Sequence, residues 1–174
     1  MVVSAVILAG GQSRRMGTDK AFIKVNGTPL VVRTASMLRD AGIQYIHTVG
    51  RQPGLAALEI PTIVETNEGH HPLFGVATAL DRLPDEHVLF VPCDLVNLGS
   101  NHIRALLEYG SPCVAICTDI PHPLFSILPK TMAQTALDLG KSGRPARCLI
   151  DGLPTIQLPN PVLIDANHRE QVPR

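Results

Sequence analysis

Short apolar runs alternate along the chain with segments of helical spacing. The apolar runs predict strands over residues 2–8, 43–49, 60–64, 87–91 and 112–117. Apolar positions spaced as in a helix predict helices over residues 28–40, 73–83 and 101–109. Because strands and helices alternate through short connections, the pattern predicts right-handed βαβ units. We therefore expect an α/β fold with three layers and a mostly parallel central sheet, in one domain over residues 1–174.

The clearest boundary signals lie at the first predicted helix. Thr28 is a suitable N-cap, Pro29 fits the first helical position, and Gly42 would end the helix. Beyond residue 119 the pattern loosens, with prolines at 121, 123 and 129. Weaker helical patterns and short apolar runs follow there: helices over 130–140 and 144–151, and apolar runs near 155–158 and 162–164.

Composition and charge exclude several classes of function. The chain has 174 residues, of which 45% are hydrophobic and 17% charged, as is usual for a globular domain. The formal net charge is zero, so no overall basic field attracts nucleic acid or a membrane surface. No apolar stretch approaches the roughly 20 residues of a membrane span, and the N-terminus lacks the charged leader of a signal peptide. We expect a cytoplasmic protein whose four cysteines are buried free thiols.

The densest cluster of glycines and cations follows the first predicted strand, in the run LAGGQSRRMGTDKA over residues 8–21. Gly10 and Gly11 let backbone amides approach an anion, while Arg14, Arg15 and Lys20 supply positive charge. In an open α/β sheet, ligands bind at the carboxyl ends of the strands, where this run lies. The glycine spacing matches neither the common phosphate loop nor the dinucleotide fingerprint. A polyphosphate site is indicated, and a solvated glycine-rich turn with surface arginines is the alternative.

The same run resembles the signature of nucleotidyltransferases that activate sugars and cofactors, LAGG followed by x-S-x-R-M-G-x-D-K. With Arg-Met-Gly and Asp-Lys-Ala, it is most similar to the molybdenum cofactor guanylyltransferase family. Four later segments also resemble family motifs: IVETNEGHHPLFGVATAL, FVPCDL, HPLFSIL (a strand in the family) and LIDANHREQV. The resemblance implies a Rossmann-like nucleotidyltransferase fold. It also implies transfer of GMP from GTP to molybdopterin, release of pyrophosphate, and use of Mg²⁺.

The resemblance carries site residues onto this chain position by position. Those implied to bind the nucleotide are Leu8, Ala9, Gly10, Gly11, Arg14, Lys20, Thr48, Glu65 and Asp94. Lys20, Arg15 and Asp94 would be catalytic, with Lys20 following negative charge onto the departing pyrophosphate. Asp94 would hold Mg²⁺, because a lone carboxylate beside substrate phosphates is a usual arrangement for that ion. The residues implied to face the acceptor are Asp165 and Asn167.

The chain departs from the family pattern at several of these places. Glu65 replaces an aspartate, His71 a glycine, and Phe74 a small residue. Asp165 replaces the first of two asparagines, and His168-Arg169 replace Thr-Pro after the second. These changes fall near the base pocket and the acceptor side, so base preference and acceptor stay open.

Two other functions are compatible with these residues. One is a nucleotidyltransferase of the same fold that uses CTP, or a different phosphorylated acceptor such as phospholactate or cobinamide phosphate. The other is a non-catalytic nucleotide-binding module that regulates a partner. The resemblance also implies transient contacts with proteins that supply molybdopterin and with molybdoenzymes that receive the product. From the zero net charge and the lack of a long apolar stretch we expect no binding of nucleic acid or membranes.

Overall fold

A seven-stranded sheet forms the centre of the computed structural model, which describes residues 4–10, 20–95, 97–117 and 120–159. Two further strands, β2 and β3, form a separate hairpin. The strands are β1 Ser4–Leu8, β2 Lys24–Val25, β3 Thr28–Pro29, β4 Ile46–Gly50, β5 Thr62–Val64, β6 His87–Pro92, β7 Cys113–Cys117, β8 Ile120–Pro129 and β9 Thr155–Gln157.

The order of strands in the central sheet is β5-β4-β1-β6-β8-β7-β9. β1 runs parallel to β4 and β6, β4 runs parallel to β5, and β7 runs parallel to β9. β8 is antiparallel to both of its neighbours, β6 and β7. The expectation of a mostly parallel sheet is confirmed. Because the chain proceeds from β1 to β4 and β5 on one side and then to β6 on the other, a crevice forms at the carboxyl end of β1.

In the described parts of the chain, four α-helices cover the two faces of the sheet: α1 Leu30–Asp40, α2 Pro72–Arg82, α3 Ser100–Tyr109 and α4 Ala133–Lys141. α1 and α3 pack in one core cluster, and α2 and α4 pack in the other. Within β1, Ala5 and Ile7 face the first cluster while Val6 faces the second. Apolar side chains are therefore needed on both faces of β1, which explains the continuous apolar run in the sequence.

The start of α1 differs from the prediction. Thr28 is not the cap: Thr28 and Pro29 form β3, and α1 begins at Leu30 with Pro29 in the cap position. Between β2 and β3, Asn26 and Gly27 have φ values of 50° and 79°. Positive φ at both central residues is what a two-residue hairpin turn requires, and Asn-Gly is the pair that adopts it most readily. This local signal outweighed the capping pattern.

The proline-rich segment after residue 119 forms β8, a ten-residue strand, as the family resemblance implied for HPLFSIL. Its prolines fall where a strand tolerates them: Pro129 is its last residue, and Pro121 and Pro123 lie where the register with β7 shifts between Val114 and Ile116. A bulge interrupts the strand pairing there, so the apolar and polar residues of this segment do not show the regular alternation of a strand.

The remaining weak predictions have mixed outcomes. The helix over 130–140 is a 3-10 turn at Lys130–Met132 followed by α4, and 144–151 contains a 3-10 turn at Ala146–Leu149. The apolar run near 155–158 contains β9, whereas 162–164 lies outside the described residues. Of the cysteines whose side chains are described, Cys93, Cys113 and Cys148 form no disulfide; the first two are buried and Cys148 is partly exposed. Across the described ranges, no helix is both long and apolar enough to cross a membrane.

Candidate functional site

A cleft of about 460 Å³ opens at the carboxyl ends of β1, β4, β5 and β6. Its size is in the usual range for small-molecule sites. The start of α2 and one residue of β8 complete its wall. The lining residues are Leu8, Ala9, Gly10, Lys20, Val49, Arg51, Gln52, Glu65, His70, His71, Pro72, Gly75, Pro92, Cys93, Asp94 and Leu124.

Lys20 and Asp94 face each other across one end of the cleft. Lys20 lies in a 3-10 turn after the glycine-rich run, and Asp94 lies just beyond the end of β6. Lys20 Nζ lies 3.4 Å from Asp94 Oδ2, and the two side chains are 22% and 23% exposed. Two opposite charges with this much access to solvent can separate when a ligand offers each a better partner. The pair therefore places a mobile cation and a carboxylate at the same end of the cleft.

Arg51 and Glu65 form a second ion pair along the wall of the cleft. Arg51 follows β4 and Glu65 follows β5, so the parallel pairing of these strands brings the two residues together. Arg51 Nη2 lies 2.7 Å from Glu65 Oε1, and Glu65 is only 12% exposed. Arg51 also donates hydrogen bonds of 3.2 Å to the backbone carbonyls of Glu65 and Gly69. One guanidinium group thus ties β4 to the segment that connects β5 to α2.

The second oxygen of Glu65 is directed at the glycines of the cleft floor. A Cβ atom added to Gly10 would lie 3.9 Å from Glu65 Oε2, and one added to Gly75 would lie 3.6 Å from the same oxygen. A side chain at Gly75 would also meet Val49 Cγ1 at 3.3 Å. Glycine at these two positions leaves one carboxylate oxygen of Glu65 beside the open space of the cleft.

His71 caps α2 at the edge of the cleft. Its Nδ1 accepts a hydrogen bond of 3.3 Å from the backbone N–H of Leu73. Its ring packs edge-on against Phe74, with 6.0 Å between ring centroids and 67° between planes. Phe74 is buried and lies against Gly140 of α4, where an added Cβ would approach its ring to 2.8 Å. The departures at His71 and Phe74 are thereby accounted for as a helix cap and a packing contact between α2 and α4.

The structure brings together six of the residues implied by the family resemblance. Those that line the cleft are Leu8, Ala9, Gly10, Lys20, Glu65 and Asp94. Gly11, Arg14, Arg15, Asp165 and Asn167 lie outside the described residues.

Thr48 is not at the cleft, contrary to the expectation that it contacts the nucleotide. It is fully buried, and its hydroxyl lies 2.9 Å from that of Thr62 on β5. Its neighbour Val49 lines the cleft, and successive residues of a strand face opposite sides of the sheet. The register of β4 therefore turns Thr48 away from the cleft.

Sequence reasoning missed Arg51, Gln52 and His122. Arg51 and Gln52 follow the second predicted strand of the parallel sheet. Because the carboxyl ends of parallel strands meet at one edge of the sheet, both residues could have been predicted to lie at the cleft. Gln52 Oε1 accepts a hydrogen bond of 3.1 Å from the backbone N–H of Arg51. His122 begins HPLFSIL, which resembles a family motif, but its place beside Asp94 depends on the antiparallel pairing of β8 with β6, which the sequence pattern did not predict.

His122 is near enough to Asp94 for the two side chains to interact electrostatically. Because β8 is antiparallel to β6, its first residues, His122 among them, lie at the carboxyl end of β6, which Asp94 follows. Desolvation by burial lowers the pKa of His122 below its ordinary 6.5, and the negative charge of Asp94 opposes this by raising it. His122 Nδ1 is buried and has no hydrogen-bond partner in the described parts of the chain.

The donor set at this end of the cleft suits a magnesium ion that is shared with a substrate. The described residues contain no group of three or more metal-binding side chains. Mg²⁺ characteristically takes one or two carboxylates and completes its shell with phosphate oxygens and water. The Asp94 carboxylate, partly exposed and on the cleft, fits that role, whereas a dedicated protein cage for zinc or calcium does not fit these residues.

Comparison with known proteins agrees with this geometry. The family described as "MobA-like NTP transferase domain" matches residues 5–158. A molybdenum cofactor guanylyltransferase of Mannheimia succiniciproducens is 33% identical over 145 residues, which cover 79% of this chain and 76% of that protein.

Solved structures with the same fold have lower identity. A protein of Aquifex aeolicus VF5 has a TM-score of 0.79 at 21% identity, covering 94% of this chain and 92% of that one. Molybdopterin-guanine dinucleotide biosynthesis protein A of Archaeoglobus fulgidus has a TM-score of 0.70 at 18% identity, covering 90% and 83%. Because the family matches most of the chain and the Mannheimia relative is 33% identical to it, the chain belongs to the MobA-like NTP transferase family.

Proposed function

We propose that this protein transfers GMP from GTP to molybdopterin, releases pyrophosphate and forms the guanine dinucleotide cofactor. The observation that carries the proposal is the Lys20–Asp94 pair at the carboxyl-end cleft of a MobA-like transferase. Relatives that match the chain, from Mannheimia succiniciproducens and Syntrophotalea carbinolica among others, are named molybdenum cofactor guanylyltransferase.

Glu65 supports guanine as the base. An ionised carboxylate only accepts hydrogen bonds, and the Watson–Crick edge of guanine offers two adjacent N–H donors. Arg51 occupies Oε1 of Glu65, while Oε2 faces the space above Gly10. Cytosine and adenine offer a single amino group on that edge beside a ring-nitrogen acceptor, which a carboxylate repels. A carboxylate held in this way therefore favours GTP over CTP and ATP.

The chemistry requires alignment and charge neutralisation more than proton transfer. The attacking group is the terminal phosphate of the acceptor, which is already ionised near neutral pH, so a strong general base is not needed. Lys20 would leave Asp94 for the phosphates of GTP and neutralise the charge that develops on the departing pyrophosphate. Asp94, freed of Lys20, would hold Mg²⁺, which would supply positive charge to neutralise the phosphates. The N-terminus of α2, at the cleft wall, adds a favourable dipole for anions.

The test is pyrophosphate release with GTP, CTP and ATP in turn, each with Mg²⁺ and molybdopterin. We expect release with GTP, and a loss of at least about 100-fold in kcat for Lys20→Met, the size that removal of one charge-stabilising group causes. Thr48→Val is the matched control, because Thr48 lies on the strand beside the cleft but faces away from it. Release with CTP alone would indicate the same nucleotidyl transfer with a cytosine dinucleotide as the product. Nucleotide binding without release by folded protein would favour the non-catalytic module.

A further inference from the structure

Asp94 has neighbours of two kinds. Lys20 lies 3.4 Å from its carboxylate and is the residue that substrate phosphates would attract. His122 interacts electrostatically with Asp94 from the start of β8, which the antiparallel pairing places at the carboxyl end of β6. A ligating carboxylate is usually held by a hydrogen bond from a neighbouring group, and without it the orientation of its oxygens is lost. Asp94 therefore needs a second partner once Lys20 has moved.

His122 lies in a local distortion of β8. The pairing of β7 with β8 shifts register between Val114 and Ile116, in the stretch where His122 and Pro123 lie. Bulges of this kind turn a side chain out of the regular alternation and are common beside active sites. Leu124, two residues further along β8, lines the cleft, so this part of the strand borders it.

The imidazole of His122 has hydrogen-bonding capacity that the described residues do not use. Its Nδ1 is buried without a hydrogen-bond partner among the described residues. A buried polar atom without a partner is unfavourable, so this atom is available for a hydrogen bond to a neighbouring group. A neutral imidazole has one N–H donor, which can hold one carboxylate oxygen and leave the other facing the cleft.

We propose that His122 is a positioning residue for Asp94. Its ring N–H donates a hydrogen bond to the Asp94 carboxylate when Lys20 turns to the substrate, and this fixes the oxygen that faces the cleft. The inference deepens the proposed function and rests on it, since it assigns Asp94 to the metal. It assigns no proton transfer and no substrate contact to His122.

The experiment measures Mn²⁺ binding by electron paramagnetic resonance, with and without GTP, in the wild type and three variants. His122→Phe retains a flat ring and removes the N–H donor, whereas His122→Asn retains an amide donor near the position of Nδ1. His47→Phe is the matched control. His47 also has a buried, unpartnered Nδ1 within the described residues and a pKa lowered by burial, but it lies in the first half of β4, away from the carboxyl end.

We expect His122→Phe to weaken Mn²⁺ binding in the presence of GTP by about 10- to 100-fold, the usual cost of losing a partner of a metal ligand. His122→Asn should recover most of that loss, and His47→Phe should bind Mn²⁺ like the wild type. In turnover, the Mg²⁺ concentration for half-maximal rate should rise in His122→Phe, while the KM for GTP at saturating Mg²⁺ changes less than about twofold.

Unchanged Mn²⁺ binding in His122→Phe overturns the proposal, and so does an increase confined to the KM for the acceptor. If His122→Phe does not fold, as judged by thermal melting, the comparison of His122→Asn with His122→Ala decides in the same way. Asp94→Asn identifies the metal ligand: if it binds Mn²⁺ as the wild type does, the proposal is also overturned. Absence of pyrophosphate release from wild-type protein that still shows the His122 effect on Mn²⁺ would refute the proposed function and leave the role of His122 standing.

Discussion

The ion pair between Arg51 and Glu65 offers a quantitative test of how the cleft wall is held. At 2.7 Å, their Coulomb attraction is about 6 kcal/mol at an effective dielectric constant of about 20. Desolvation of Glu65, which is 12% exposed, and ordering of the Arg51 side chain offset most of it. We expect a net coupling of about 1–2 kcal/mol, above the range of a fully exposed pair.

The perturbation is a double-mutant cycle with Arg51→Met and Glu65→Gln. Arg51→Met also removes hydrogen bonds to the carbonyls of Glu65 and Gly69, so it should lower the free energy of unfolding by about 2–4 kcal/mol. Glu65→Gln retains an acceptor for Arg51 and should cost about 1–2 kcal/mol. The double variant should lose less than the sum of the two single losses, by the coupling energy.

The assay is urea unfolding followed by circular dichroism, with GTP affinity measured by calorimetry in parallel. The control is Arg82→Met, which removes an exposed arginine at the end of α2 and should cost less than about 1 kcal/mol. We also expect Arg51→Met to weaken GTP binding, because the segment from Glu65 to Gly69 loses its tie to β4. If the losses of the single variants add to within about 0.5 kcal/mol, the pair is not coupled and the reasoning fails.

Three further outcomes follow from the described contacts. Lys20→Met should tighten Mn²⁺ binding to nucleotide-free protein severalfold, since a competing cation 3.4 Å from Asp94 is removed; a weaker Mn²⁺ signal would contradict this. Thr48→Val should cost about 1 kcal/mol in urea unfolding and leave GTP affinity unchanged, because the hydroxyl pairs with Thr62. Burial lowers the pKa of His47 below 6.5 in the folded state, so the unfolded chain binds more protons between the two pKa values. The free energy of unfolding should therefore fall as pH drops below about 6.5, and His47→Phe should flatten that decline in pH-dependent urea titrations.

Much of the scaffold could be predicted because its signals are local. The apolar run of β1 and the spacing of α2 follow from the periodicities of strands and helices, which depend on nearby residues alone. The rule that carboxyl ends of parallel strands meet then placed Lys20 and Asp94 at one edge of the sheet. The hairpin turn at Asn26-Gly27 was equally local, and it was missed because the capping pattern at Thr28 was given more weight.

The sequence by itself determined the α/β class, the mostly parallel sheet and the edge at which ligands bind. The tertiary structure decided which side chains meet there. Thr48 faces away from the cleft because of the register of β4. Arg51 and Glu65 form a pair because β4 and β5 are adjacent. The place of His122 depends on an antiparallel strand that contains a bulge. Each of these is a pairing between segments distant in sequence, and a shift of one residue in a strand would reverse which side chains face the cleft.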